Sequence, residues 1–185
     1  MRRNHLNILG HLRTITHHRH LVMLGCFRIG LIRQGLLHDL SKYTPTEFIP
    51  GAKYYLGNRS PNVKEREIRG YSTAWLHHKG RNKHHFEYWN DLNERHQYAS
   101  VDPPKRYLAE MVMDRIAACK TYLGENYHPG SELEYLRRAV ETPMMHPQTV
   151  ANLEKIFTIL RDDGEDAMCE HLRSMLKDAK LNGTY

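Results

Sequence analysis

The chain has 185 residues, 40% hydrophobic and 26% charged, a balance that a folded domain needs and a disordered chain lacks. At roughly 100 to 200 residues per domain it reads as one domain over 1–185, and with no apolar run near the roughly 20 residues of a membrane helix, and no signal-peptide start, it is expected to be cytoplasmic with no membrane partner. The net charge of +6 suits a phosphorylated ligand as well as nucleic acid, and Cys26, Cys119 and Cys169, with no CxxC pair, exclude a disulfide framework and a thiolate zinc site.

Helical spacing recurs along the chain and period-two alternation does not, so the fold is expected to be all-α. The first helix carries Ile15, His18, Val22, Gly25, Ile29 and Ile32 on one stripe and should end near Gly35, with His17 and His20 beside the stripe. A short helical turn over 36–40 follows before the chain breaks around 41–43. Thr44-Pro45-Thr46-Glu47 reads as a helix start, with Thr44 as N-cap and Glu47 completing a capping box, and the helix should stop at Gly57. Residues 58–64 read as a loop, 65–78 as a helix, 79–83 as an interruption and 84–92 as a further helix. Pro103-Pro104 opens a helix in which Tyr107, Met111, Asp114 and Ala118 share a stripe, which predicts a buried Asp114. Ser131 to Glu134 form a second capping-box pattern, and helices over 150–160 and 168–179 should end or restart at Gly164.

Fourteen of the 185 residues are histidine, the commonest metal-ligand type. An imidazole or carboxylate on an apolar stripe costs about 1 to 3 kcal/mol or more unless it is hydrogen-bonded or bound to a cation. His18, the pair His38-Asp39, and Asp114 are three such anomalies on three predicted helices, and one divalent metal would satisfy them all. Nitrogen and oxygen ligands without sulfur suit Mn, Fe, Co, Ni or Zn. Four further imidazoles, His77, His78, His84 and His85, bracket a polar loop. One of each pair should face the site, because neighbours on a helix point about 100° apart. His78 and His85 share stripes with Trp75 and Trp89 and are preferred, with His84 and His77 in reserve for a second metal position. His5, His11, His96, His128, His146 and His171 are expected at the surface or as caps.

The order His18, His38-Asp39, Asp114 resembles the H…HD…D signature of the HD superfamily of metal-dependent phosphohydrolases, over about 14–120. His38-Asp39-Leu40-Ser41-Lys42 resembles the HDxGK form of several HD phosphodiesterases, with Ser41 in place of the glycine. The runs 38–43 and 75–85 look closer still to a bacterial family of unknown function within that superfamily. The resemblance implies a helical bundle of the HD type, with residues 131–180 packed on the metal-binding part. It also implies one or two divalent transition metals (Fe, Mn, Co or Zn) held by His18, His38, Asp39, His78, His84, His85 and Asp114.

A metal so held lowers the pKa of a water ligand and neutralises phosphoryl charge. Asp39 would bind metal and orient or deprotonate the water, Lys42 would steady a substrate oxygen or the leaving group, and Arg81 and Lys83 would form an anion funnel. The expected activity is therefore metal-dependent hydrolysis of a nucleotide or phosphomonoester. Two alternatives stand beside it: a di-iron oxygenase or other redox enzyme, which some HD-like proteins resemble, and a basic helical module that binds nucleic acid.

Overall fold

The computed structural model describes residues 6–139 and 142–185; His5, expected at the surface, lies outside them. Helix α1 (Ile8–Arg28) is capped by Asn7, whose side chain accepts the Gly10 N–H at 3.0 Å. It buries Ile15, His18 and Val22 of the predicted stripe, together with His11 and Cys26, and leaves His17 and His20 exposed; Ile32, expected on the same stripe, lies beyond the helix end and is exposed. The helix ends seven residues before Gly35. The turn is made by Gly30, at φ +80°, after which α2 (Ile32–Leu37) folds back along α1. Gly35 lies buried within α2, where an added Cβ would meet the Cys26 Cβ at 2.9 Å, so its role is close approach and not a C-cap. A 3₁₀ turn, Leu40–Tyr43, follows where a break was expected.

Helix α3 (Pro45–Tyr54) starts at Thr44 with Pro45 in its first turn, but the capping box does not form. The Thr44 hydroxyl donates to the Ser41 carbonyl at 2.6 Å, and Glu47 turns away from the cap altogether. The single helix expected over 65–78 is two. Gly70, at φ +81°, ends α4 (Pro61–Arg69), and Ser72 caps α5 (Thr73–Lys79) by accepting the Trp75 N–H. Buried Glu65 holds this corner by accepting the Ser72 and Thr73 hydroxyls at 2.6 and 2.7 Å.

The helix expected over 84–92 is replaced by a 3₁₀ turn, Phe86–Trp89, and an antiparallel hairpin of β1 (Asn90–Leu92) and β2 (Tyr98–Ser100), in register Asn90–Ser100, Asp91–Ala99, Leu92–Tyr98. The Asn93 side chain accepts the backbone N–H groups of Arg95 and Gln97, a local alternative to helix that a polar loop offers readily. This hairpin apart, the described residues form an all-α architecture, as expected.

Helix α6 (Lys105–Leu123) packs on α1 and α8, and one core runs through α1, α6, α7 (Ser131–Arg138) and α8 (Pro147–Leu181). Val22, Leu108, Val112, Leu153, Phe157 and Leu172 are wholly inaccessible there, and each contributes about 1.5 to 3 kcal/mol of burial. Helix α8 breaks at Gly164 (φ 87°, ψ 178°), the expected position, and His146 caps it by accepting the Gln148 N–H. His11, expected at the surface, is buried against Phe48 and Tyr55, over the bare backbone of Gly51. Cys26 and Cys169 are buried free thiols and Cys119 is half-buried. Among the described residues no helix is long and apolar enough to cross a membrane.

The second capping box also fails to form, since Ser131 lies inside α7 and its hydroxyl accepts the His128 N–H. Its neighbour Glu132 is buried, and burial outweighs the nearby Tyr127 hydroxyl and pushes its carboxyl up to about 7. In the unfolded chain it titrates near 4.5, so folding takes up a proton between these values; its contribution to stability is full below pH 4.5 and lost as pH rises through about 7. Glu132→Gln should remove that decline and stabilise the protein at pH 8 by about 1 to 3 kcal/mol. Urea unfolding at pH 5 and pH 8 measures this; the same pH dependence in both proteins would contradict it.

Candidate metal centre

Asp39 is the middle of the site. It sits between α2 and the 3₁₀ turn with φ 54°, a left-handed conformation that aspartate tolerates better than most residues, and its side chain is 1% exposed. Its two oxygens face different sets of side chains. Oδ2 lies 3.3 Å from His38 Nε2 and 3.8 Å from His18 Nε2, and Asp114 Oδ1 closes this group at 2.9 Å from His18 and 3.5 Å from His38. Oδ1 lies 3.2 Å from His78 Nε2 and 3.4 Å from His84 Nε2, and His85 completes the second group. Around one cation with bonds of about 2.0 to 2.2 Å, neighbouring ligand atoms stand about 3.0 to 3.5 Å apart, close to these separations.

Five of these atoms, Asp39 Oδ1 and Nε2 of His38, His78, His84 and His85, are buried without a hydrogen-bond partner, and Asp39 Oδ2 meets the Lys42 ammonium at 2.6 Å. Each such atom costs about 1 to 3 kcal/mol if left alone, and one cation among them would satisfy these five together. The far sides of three rings explain why the Nε2 atoms face inward. Glu110 Oε1 takes the Nδ1 atoms of His38 and His84 at 2.9 and 3.1 Å, and Glu47 Oε2 takes His78 Nδ1 at 2.7 Å. A carboxylate at Nδ1 holds the proton there and leaves the Nε2 lone pair for a ligand bond. Ser41, which stands where the resembling motif has glycine, accepts from the Asn82 amide at 3.0 Å and so steadies the loop behind His78.

Charge within the cluster is strongly coupled. Burial pushes the Asp39 carboxyl up, but His38, Lys42 and His78 outweigh it and hold the group well below the ordinary range. Burial disfavours protons on His38, His78 and His84, yet the surrounding carboxylates raise all three above the ordinary imidazole value. Burial, with His84 and His78 nearby, keeps His85 well below it. The same carboxylates favour a cation in place of those protons, so metal uptake releases protons and weakens in acid. The groups Asp39-His78-His84-His85 and His18-His38-Asp39-Asp114 can therefore each hold a metal ion, with Asp39 shared.

The structure brings together every metal-ligand candidate of the sequence: His18, His38, Asp39, His78, His84, His85 and Asp114. Asp114 is half-buried, its side chain 15% exposed, so it lines an edge of the centre that meets solvent. Both members of the second histidine pair face inward, because residues 84 and 85 lie in a turn and not on the expected helix. His77 bonds Glu47 Oε1 through Nδ1 at 2.7 Å and takes the supporting place. Lys42 places Nζ 2.6 Å from Asp39 Oδ2.

Arg81 and Lys83 keep other company. Arg81 is exposed beside the His77 carbonyl, and Lys83 lies over the rings of Tyr88 and Tyr107. Tyr107 is seven residues before Asp114 on α6, about 10 Å along the axis, with Glu110 between them. Two surface clefts, one lined by Lys105, Asn152 and His171 and the other by Leu9, Leu12 and His17, share no residue with the cluster.

Glu47 and Glu110 escape the sequence reading. The signal for Glu110 was present, since it precedes Asp114 by four residues on the same row of α6; Glu47 was hidden inside a plausible capping box.

Neither a curated protein nor a solved structure matches the chain. A family profile does, over residues 7–159, a span that contains the whole centre and its supporting carboxylates. The chain belongs to that family, DUF5662, a family of unknown function.

Proposed function

We propose that the protein is a metal-dependent hydrolase of a small phosphorylated substrate, with two candidate positions for a divalent ion that share Asp39. The observation that carries the reading is the convergence of four unpartnered buried imidazole nitrogens on the Asp39 carboxylate. The HD-like order of His18, His38-Asp39 and Asp114, with imidazoles inserted between, supports it. His18, His38, Asp39 and Asp114 would hold one ion, and Asp39, His78, His84 and His85 the other. When bound, the ions supply Lewis acidity and lower the pKa of a water ligand.

The chain's own groups do the rest. Glu110 and Glu47 keep His38, His84 and His78 in the ligand tautomer. Lys42, 28% exposed and paired with Asp39, would supply positive charge to a phosphoryl oxygen or a leaving oxygen. His18 Nε2 lies 2.9 Å from Asp114 Oδ1, a separation that suits two ligands of one ion.

A panel of nucleotides and phosphomonoesters assayed with Mn, Co, Fe and Mg tests the reading. Lys42→Ala should keep fold and metal, since it removes a cation that competes for Asp39, yet lower phosphatase kcat/KM about 10²- to 10³-fold. Lys42→Arg should rescue only part, because a planar fork replaces a compact charge. An unchanged rate in Lys42→Ala would overturn the role of Lys42, and no turnover with any metal would overturn the hydrolase reading. The redox alternative draws on the second position, whose three imidazoles suit iron. Retention of two irons, with oxygen uptake and no phosphatase activity, would favour it.

A further inference from the structure

The excess charge of the chain is confined to one end of its sequence. Of 27 lysines and arginines and 21 acidic residues, residues 1–38 hold six arginines and no acidic residue, so residues 39–185 balance at 21 of each sign. The basic stretch builds α1 and α2. Arg28 is neutralised by Glu165 and Asp166 at 2.7 and 2.6 Å, but among the described residues no carboxylate pairs with Arg13, Arg19 or Arg33. His18 turns inward to the metal centre. The opposite side of α1 presents Leu9, Leu12, Arg13, Thr16, His17 and His20, all exposed and lining one shallow surface cleft, with Leu9 80% exposed. Their steps of three and four place them on one face of the helix. Helix α2 flanks that face. Arg19 donates to the carbonyls of His38, at 2.9 Å, and Leu36, and the Thr16 and Tyr43 hydroxyls stand 3.1 Å apart. Ile32, Arg33, Leu36 and Leu37 of α2 are exposed in turn.

A single exposed leucine is ordinary on a folded surface, but several together among arginines without acidic partners mark a contact face. We infer that the outer face of α1, with α2 at its flank, docks on the surface of an anionic lipid bilayer. Leu9 and Leu12 enter the headgroup boundary, and Arg13 meets lipid phosphates at the same level. The lack of a spanning apolar run argues against crossing a membrane and says nothing of lying on one. Charge complementarity selects this occupant: a face with cations and no anions attracts a negatively charged surface, at about fivefold in partition for each basic residue near it. A second copy of the chain would instead set arginines against arginines across a two-fold axis. A nucleic acid would satisfy the arginines through its phosphates but leave the leucines uncovered.

The test sediments the full chain with vesicles of phosphatidylcholine alone and of phosphatidylcholine with about one third phosphatidylglycerol. The anionic vesicles should bind at least about tenfold more tightly, and the difference should shrink at high salt as the charges are screened. Leu9→Gln should weaken binding to the anionic vesicles about tenfold, and Arg13→Gln about fivefold. Both side chains are exposed on the side of α1 away from His18, so fold and metal content should match wild type. Lys177→Gln removes the same charge from an exposed position of α8 and should change nothing. Equal binding to the two vesicles, or wild-type binding by Leu9→Gln, overturns the proposal. Binding to a DNA duplex in preference to the anionic vesicles, lost in Arg13→Gln and kept in Leu9→Gln, overturns it in favour of nucleic acid. A concentration-dependent dimer that Leu9→Gln dissolves overturns it in favour of a second copy.

Discussion

Asp39→Ala should abolish metal binding at both positions, while His78→Ala should leave one ion bound. Asp39 alone contributes to both groups, with Oδ2 facing His18 and His38 and Oδ1 facing His78 and His84. Removing it takes the bridging charge from each position and leaves imidazoles that repel one another once protonated. His78 touches only the second group. Metal bound at a concentration a hundredfold above Kd stabilises a fold by about 2.7 kcal/mol. For a chain of this size that corresponds to roughly 5 to 11 °C in Tm. Wild type should lose about that much on chelation, and Asp39→Ala should lose nothing further. Elemental analysis of untagged protein, with thermal melts before and after chelator, measures both effects. Equal metal content in wild type and Asp39→Ala would contradict the assignment.

Glu110→Gln should weaken the metal about 10- to 100-fold without removing a ligand. Glu110 accepts hydrogen bonds from two rings of different groups, His38 and His84, so its loss frees both to rotate or change tautomer. Glutamine keeps the shape and one accepting oxygen but not the charge. Glu47→Gln should act on the second position alone, because Glu47 holds His78 and His77. Burial raises the Glu47 carboxyl, and the bonds to His78 and His77 outweigh this and bring it below its ordinary value, as a pair that resists separation requires. Competition titrations with a chelator of known affinity separate the cases. A Glu110→Gln protein whose two metal affinities match wild type would show that these carboxylates do not tune the site.

The ligands were legible because they break a pattern: His18 and Asp114 stand on apolar stripes, and His38-Asp39 follows a helical segment. A stripe reports which face of a helix is inward, and an inward imidazole or carboxylate needs a partner. Local signals failed where the long-range partner wins. Thr44-Pro45-Thr46-Glu47 satisfies every condition of a capping box, yet Glu47 gains more from two histidines of α5 than from a backbone N–H. Gly30, Gly70 and Gly35 look alike in sequence, but only the first two take positive φ, and that depends on which helices must pack across the turn. Residues 84–92 read as helix because His85, Trp89 and Leu92 share a helical spacing; the Asn93 turn, whose side chain serves two backbone N–H groups, pairs 90–92 with 98–100 and overrides that spacing.

Anomalous diffraction from crystals of Mn-loaded protein tests the metal centre most directly. The expected result is two peaks on either side of the Asp39 carboxylate, one within about 2.0 to 2.2 Å of Nε2 of His18 and His38, the other at the same range from Nε2 of His78 and His84. No peak at Asp39 in protein that is saturated with manganese in solution would contradict the account.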